Sequence, residues 1–136
     1  MRNMKSGIHG NSVHLLLDTQ ILVWLSTGDP RLSASAKGAI FDPSAELWVS
    51  ALTAFEFTDL QQRKRVPTDE NIETLCQIYG FTLIGFPSGG WAVAATLPQI
   101  HRDPVDRMLI AHAIMTDMTL ITSDSDMHKY PVKTLW

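Results

Sequence analysis

Short apolar runs alternate with helical stretches along most of this sequence, and this alternation limits the folds that the chain can adopt. Strand candidates lie at 14–18, 47–49, 81–84, 118–122 and 132–135. Parallel neighbouring strands need a crossover connection, usually a helix, whereas antiparallel neighbours can be joined by a tight turn. The alternation therefore predicts an α/β fold, a three-layer α/β/α sandwich around a small, mostly parallel sheet.

Capping and breaking residues bound the helical stretches between these strands. Helices are predicted at 19–26, 34–41, 51–65, 69–80, 91–97 and 104–117. In the third of these, Ser50 is the predicted cap, and the basic run 63–65 at the far end suits the helix dipole. In the fourth, Thr68 is the predicted cap, with Asp69 and Glu70 in the first turn.

Length and composition fit one ordinary globular domain. The chain has 136 residues, of which 45% are hydrophobic and 18% charged, so it can bury a core and is not globally disordered. We expect residues 1–12 to form a flexible extension and residues 13–136 to form a single domain. No membrane-length apolar run or secretory signal is recognisable. The single cysteine, Cys76, excludes an intramolecular disulfide and fits a reducing cytoplasm.

The net charge of −3 argues against a protein that holds nucleic acid by charge alone. That argument weakens if some of the acidic residues surround a cation. Five acids are candidates for such a role: Asp18, Glu56, Asp103, Asp106 and Asp124. Without them, nine acidic residues remain against eleven basic ones, and the net charge becomes +2.

The segment HRDPVDRMLIAHA, residues 101–113, crowds charged residues against the start of an apolar helix. Asp103 followed by Pro104 is a helix-start signal, because the carboxylate caps backbone amides and proline suits the first helical position. Asp106 is then the third helical residue, where the helix dipole favours a negative charge. Capping is a structural reason for an aspartate at position 103. The fold gives no comparable reason for an aspartate at position 106.

Other acids follow the predicted strands. Asp18 ends the first strand and Asp124 lies just past the fourth, with Asp126 as the alternative to Asp124. Glu56 lies on the helix after the second strand. Ligands of open parallel sheets bind at the carboxyl ends of the strands, so we expect these acids at one rim. The loop before the last helix leaves open whether Asp106 reaches the same rim.

Several carboxylates at one rim would repel one another and raise each other's pKa unless a cation lies among them. A carboxylate at the end of a buried strand is also costly without compensation. Mg²⁺ and Mn²⁺ suit a site built of oxygen ligands. The sequence therefore predicts a divalent metal site at this rim.

Four segments, in this order and at this spacing, resemble a known family: LLLDTQILVWL, VSALTAFE, LPQIHRDPVDRMLIAHA and TLITSD. They resemble a PIN domain, and more narrowly the VapC-type toxin ribonucleases of bacterial toxin–antitoxin pairs. The resemblance runs from about residue 14 to residue 136. It implies that residues 13–136 form a PIN-like α/β/α sandwich that hydrolyses RNA phosphodiester bonds.

The resemblance also implies a set of site residues and a cofactor, Mg²⁺ or Mn²⁺. The matching catalytic residues are Asp18, Glu56, Asp106 and Asp124. Three of these are implied metal ligands: Asp18, Asp106 and Asp124. Glu56 would hold the attacking water or assist its deprotonation. Supporting residues of the same motifs are Thr122, Asp103 and Arg107.

The chemistry implied is metal-dependent hydrolysis, with a 5′-phosphate and a 3′-hydroxyl as products and no histidine required as general base. The family also implies a small cognate VapB-like antitoxin, a homodimer, an RNA substrate and a cytoplasmic protein without a membrane partner. The chain departs from the family pattern at Gln20, where histidine is common, and at Val105, where phenylalanine is common. These departures spare the implied ligands and bear on the choice of substrate and partner.

Two other functions remain as alternatives. A catalytically silent PIN-like module would bind RNA or protein without cutting, but it would have no use for four acids. A phosphatase of the haloacid-dehalogenase type also has an aspartate after its first strand, but it needs a second acid where this chain has Gln20.

Several charged residues near these motifs have simpler interpretations. His101 is interpreted as a loop residue with no catalytic part, and the basic run 63–65 as a solvated helix end. Arg102 and Arg107 either contact phosphate or balance neighbouring acids.

Overall fold

The computed structural model describes residues 12–136, which form a five-stranded sheet whose paired strands are all parallel. The strands are β1 (Val13–Leu17), β2 (Ala45–Ser50), β3 (Phe81–Ile84), β4 (Thr119–Ile121) and β5 (Thr134–Leu135). Their order across the sheet is β3-β2-β1-β4-β5, so β1 is central. The predicted flexible extension, 1–12, lies outside the described residues except for Ser12.

Helices cover both faces of this sheet. They are α1 (Thr19–Thr27), α2 (Ala34–Ile40), α3 (Ala51–Gln62), α4 (Ile72–Tyr79), α5 (Gly90–Thr96) and α6 (Pro104–Thr116), with a short 3₁₀ helix at Met127–Lys129. The predicted α/β/α sandwich is therefore confirmed. Within residues 12–136, no helix combines the length and the apolar character needed to span a membrane.

The leucine run of β1 joins two hydrophobic cores, one on each side of the sheet. Leu15 and Leu17 pack with apolar residues of α1 to α4, and Leu16 packs with those of α5 and α6. All three leucine side chains are fully buried. A central parallel strand is covered on both faces, so it needs apolar residues at successive positions. This explains why three leucines follow one another in β1.

The register of β1 and β4 brings their carboxyl ends to the same edge of the sheet. Leu17 is aligned with Ile121, and the backbone N–H of Asp18 donates to the Ile121 carbonyl at 3.1 Å. The residues that follow the two strands are therefore neighbours. This edge carries the cleft described below.

Helix α3 ends at Gln62, so the predicted extent to residue 65 is wrong. Arg63 is the C-cap, and Lys64 has a left-handed backbone with φ of 58°. The Arg65 N–H donates back to the Leu60 carbonyl at 2.8 Å. The basic run therefore lies in the turn beyond the helix and not in its last turn.

Helix α4 begins at Ile72 and is capped by Asn71, so the predicted cap at Thr68 is wrong. The Asn71 side chain accepts from the Thr74 N–H at 2.8 Å. The Gln61 side-chain amide donates to the carbonyls of Thr68 and Glu70 at 3.0 and 2.7 Å. These bonds hold the preceding segment against α3, so the helix starts only after it.

Candidate active site

An acidic cleft opens at the carboxyl edge of the sheet. It has a volume of about 560 Å³, and four elements contribute acids to it. The four acids expected to be catalytic all line it: Asp18, Glu56, Asp106 and Asp124. The start of α6 therefore lies at the same rim as the strand ends, which the sequence had left open.

Asp18 is the least exposed of these acids because it follows β1 directly and caps α1. Its side chain is 8% exposed. One carboxylate oxygen accepts from the Thr19 N–H and the other from the Thr122 hydroxyl, each at 2.7 Å. Burial raises the pKa of Asp18 above its ordinary value, although these two hydrogen bonds act in the opposite direction. Thr122, expected in a supporting role, thus holds this carboxylate in place.

Asp106 is crowded by other negative charges. It lies in the first turn of α6, and burial together with the charges of Asp18, Asp103 and Glu56 raises its pKa to about 7. The positive charge of His101 acts in the opposite direction. A carboxyl with this pKa is only partly ionised at neutral pH, so the cleft as it stands does not stabilise its full negative charge.

Asp103 caps α6, as the sequence predicted. Its carboxylate accepts from the Val105 N–H at 2.9 Å, and Pro104 occupies the first helical position. Asp103 also lines the cleft, so capping does not remove it from the site. Arg107 faces the preceding loop instead: its guanidinium donates to the carbonyls of His101 and Arg102 at 2.9 and 3.3 Å.

Glu56 approaches the cleft from α3. The hydroxyl of Thr19, the first residue of α1, donates to one of its carboxylate oxygens at 2.6 Å and so holds the side chain in place. The neighbouring Phe55 lines the same cleft and is 71% exposed. With Val23, Leu60 and Val105, Phe55 gives the cleft an apolar wall beside its acidic one.

Asp124, rather than Asp126, reaches the cleft. Its backbone N–H donates to the Thr122 hydroxyl oxygen at 3.1 Å, and its carboxylate accepts from the Asp126 N–H at 2.9 Å. The Asp126 carboxylate instead accepts from Lys129 at 3.0 Å and does not line the cleft.

His101 enters the cluster, which the sequence did not predict. It lies in a loop, as expected, but its Nε2 is 2.7 Å from Asp124 Oδ2 and 3.1 Å from Asp106 Oδ2. Burial lowers the pKa of His101, but the hydrogen bond to Asp124 and the nearby carboxylates outweigh that effect and raise it. The one available signal was its position two residues before the helix cap Asp103.

Among residues 12–136, two overlapping sets of side chains can hold a divalent metal ion. Ligand atoms of His101, Asp106 and Asp124 lie within 4.8 Å of one another, and so do those of Glu56, Asp103 and Asp106. The donors are mainly carboxylate oxygens, which suit Mg²⁺ or Mn²⁺. A cation here would also relieve the crowding that raises the pKa of Asp106. Asp18 lines the cleft but belongs to neither set.

Comparisons with known proteins agree with this geometry. A family model described as PIN domain matches residues 15–133. The chain is 32% identical over 131 residues to Ribonuclease VapC22 of Mycobacterium tuberculosis, covering 90% of this chain and 98% of that one.

Two solved structures share the fold at low sequence identity. VapBC2 from Rickettsia felis, bound to a DNA fragment from their promoter, matches with a TM-score of 0.67 at 15% identity, over 90% of this chain and 98% of that one. A toxin-antitoxin complex from Klebsiella pneumoniae matches with a TM-score of 0.62 at 21% identity, over 90% and 96%.

Proposed function

This chain belongs to the PIN-domain family, and on that basis we propose that it is a metal-dependent endoribonuclease, the toxin of a toxin–antitoxin pair. The carrying observation is the convergence of four carboxylates from separate elements in one cleft. One of them, Asp106, has a pKa raised to about 7 by burial and by its acidic neighbours. Such crowding is unfavourable for a fold alone and is typical of a functional site. A ribonuclease among its relatives supports RNA as the substrate.

We propose Mg²⁺ or Mn²⁺ as the cofactor, held by Asp106, Asp124 and Asp18. Asp106 and Asp124 are supported as ligands because their oxygens lie within 4.8 Å of each other and of His101. Asp18 is supported because it lines the same cleft. Such an ion, when bound, activates water and neutralises charge on the phosphoryl oxygens.

The protein's own residues supply position and proton transfer. Glu56, fixed by the Thr19 hydroxyl, takes a proton from the attacking water. The water oxygen bonds to phosphorus as the bond from phosphorus to the 3′-oxygen breaks, and the 3′-oxygen takes up a proton from a solvent water. The products are a 5′-phosphate and a 3′-hydroxyl. Thr122 keeps the Asp18 carboxylate in its orientation throughout.

We also propose a small VapB-like antitoxin as the partner, and a homodimer that acts in the cytoplasm. One solved structure of this fold is described as a toxin-antitoxin complex, and another as VapBC2 bound to a DNA fragment from their promoter. The apolar wall of the cleft, with Phe55 at 71% exposure, offers a surface that a protein segment can cover.

Purified, antitoxin-free protein should cleave total RNA or a tRNA pool into discrete products in Mg²⁺ or Mn²⁺. Cleavage should disappear with EDTA, and in the Asp18→Asn and Asp106→Asn variants, whose fold should remain intact. The matched control is Asp69→Asn, an exposed acid outside the cleft, which should cut at the parent rate. If both cleft variants still cut at that rate, the proposed site is wrong. A folded parent that never cuts would instead favour a silent, binding-only PIN domain.

A further inference from the structure

We propose that His101 is a positioning residue that holds the carboxylate of Asp124 by donating from Nε2, beside the carboxylate of Asp106, and that it does not ligate the metal. This inference rests on the proposed function and adds a residue to its machinery. His101 satisfies the distance requirement for a ligand, since its Nε2 groups with Asp106 and Asp124 within 4.8 Å. Its hydrogen bonds decide between the two roles.

The other ring nitrogen determines which atom carries the proton. The backbone N–H of Asp103 donates to His101 Nδ1 at 3.2 Å, so Nδ1 is an acceptor. A neutral ring with Nδ1 as acceptor carries its proton on Nε2, and a protonated ring carries one there as well. In both forms Nε2 is a donor without a lone pair for a cation. Its distance of 2.7 Å to Asp124 Oδ2 is that of a donated hydrogen bond, and Asp106 Oδ2 lies 3.1 Å from the same nitrogen.

Side-chain contacts on both sides fix the backbone that presents this ring. The His101 N–H donates to the hydroxyl of Tyr130 at 2.6 Å, and Tyr130 is only 4% exposed. The Arg107 guanidinium donates to the His101 carbonyl at 2.9 Å. This loop has no regular secondary structure, so these contacts set the orientation of the ring. They also give Arg107 a role that needs no contact with phosphate.

The hydrogen bond from His101 orients the carboxylate of Asp124. One of its oxygens accepts from the Asp126 N–H at 2.9 Å and the other from His101 at 2.7 Å, so both oxygens are oriented. The same Nε2–H lies between Asp124 and Asp106 and lowers the repulsion between the two carboxylates. Without it, Asp124 loses one of its two anchors. The ligand set is then less well arranged before an ion binds.

The experiment compares the full-length parent chain with His101→Ala and His101→Gln. Gln places an amide donor near the position of Nε2, whereas Ala removes the donor. Mn²⁺ affinity is measured by titration calorimetry, and kcat and KM with a cleavable RNA. Pulsed electron paramagnetic resonance of bound Mn²⁺ reports whether a nitrogen is directly coordinated. Unfolding curves verify that each variant is folded.

We expect Ala to weaken Mn²⁺ binding by about 10- to 100-fold and to lower kcat more than it changes KM. Gln should restore most of both, and the parent's Mn²⁺ spectrum should lack a directly bound nitrogen. The matched control is His14→Ala, at the start of β1 and outside the cleft, which should leave Mn²⁺ affinity unchanged.

A coordinated nitrogen that is lost in His101→Gln would overturn the proposal in favour of direct ligation. Equal Mn²⁺ affinity in the parent, Ala and Gln proteins would overturn it in favour of a passive loop residue. If the parent cleaves no RNA, the proposed function fails, and the Mn²⁺ affinities and spectra still decide the role of His101.

Discussion

Single carboxylates in this cleft owe their properties to their neighbours more than to their residue type. Asp18 is the more buried, yet two hydrogen bonds support its charge, whereas Asp106 is surrounded by other acids. An aspartate whose charge is disfavoured weakens the folded state, and replacing it with a neutral residue of similar shape should relieve that cost. The cluster is therefore understandable as a binding site and not as a source of stability.

In the metal-free protein, we expect the free energy of unfolding to fall as the pH rises from acidic to mildly alkaline. The pKa of Asp106 is raised to about 7 in the folded chain, so the folded chain holds this proton more tightly than the unfolded chain does. The contribution is complete below the unfolded pKa of about 3.9 and is lost as the pH rises through about 7. Urea unfolding at several pH values should show a loss on the order of 4 kcal/mol.

Asp106→Asn should flatten most of this slope, and saturating Mg²⁺ or Mn²⁺ should flatten it in the parent protein. Asp18 and His101, whose pKa values are also raised, contribute with the same sign, so a part of the slope should survive. Asp69→Asn serves as the control and should keep the parent slope. Parallel slopes for the parent and Asp106→Asn would show that Asp106 is not crowded as described.

At the scale of elements, the first residue of a helix could be predicted where a single side chain is suited to be the N-cap. Ser33, Ser50 and Asp103 each accept from a backbone N–H two or three residues later, and the sequence identifies all three. The cap of α4 was misplaced because Thr68 and Asn71 are both suitable residue types. The choice between them depends on Gln61, whose tertiary contacts a local pattern does not contain.

For the same reason, part of the candidate site could not be predicted from the sequence. The strand-end acids Asp18 and Asp124 were predictable, because parallel topology dictates where strand ends meet. His101 was not, because its loop has no periodicity and is held by Tyr130 and Arg107. The sequence indicates which acids can form the site. The path of the loop determines that His101 lies beside two of them.

The turn after α3 gives a prediction about element ends. Lys64 has φ of 58°, a left-handed conformation that is unfavourable for side chains with a Cβ and free for glycine. Lys64→Gly should therefore raise the free energy of unfolding by about 0.5–1 kcal/mol. Lys37→Gly, inside α2, is the matched control and should lower it by a similar amount. Chemical unfolding measures whether each variant has a higher or lower free energy of unfolding than the parent. A destabilised Lys64→Gly would contradict the expectation.

At the scale of the whole molecule, β1 unites the two halves of the structure. Its leucines contribute to the cores on both faces of the sheet, and its pairing with β2 and β4 makes it central. We therefore propose that residues 13–136 unfold as one domain.

Leu16→Ala and Leu17→Ala should each lower the free energy of unfolding by about 2–5 kcal/mol, although they lie in different cores. In each variant, unfolding followed by tryptophan fluorescence and by circular dichroism should give one coincident transition. Val13→Ala, at a position 47% exposed, should have a much smaller effect. Two separate transitions in either leucine variant would mean that the two layers fold independently.

The hydrogen bond between Asp18 and Thr122 joins residues that are 104 positions apart in the chain. A ribosome releases the chain from its amino end, so Asp18 emerges long before the strand that must lie beside it. Until β4 follows, β1 lacks one neighbour and the acidic cleft lacks one side. We expect a nascent chain to be harmless to the RNA around it until β4 has emerged and paired with β1. The order of strands in the sheet thus separates the making of the first acid of the cleft from the completion of the cleft itself.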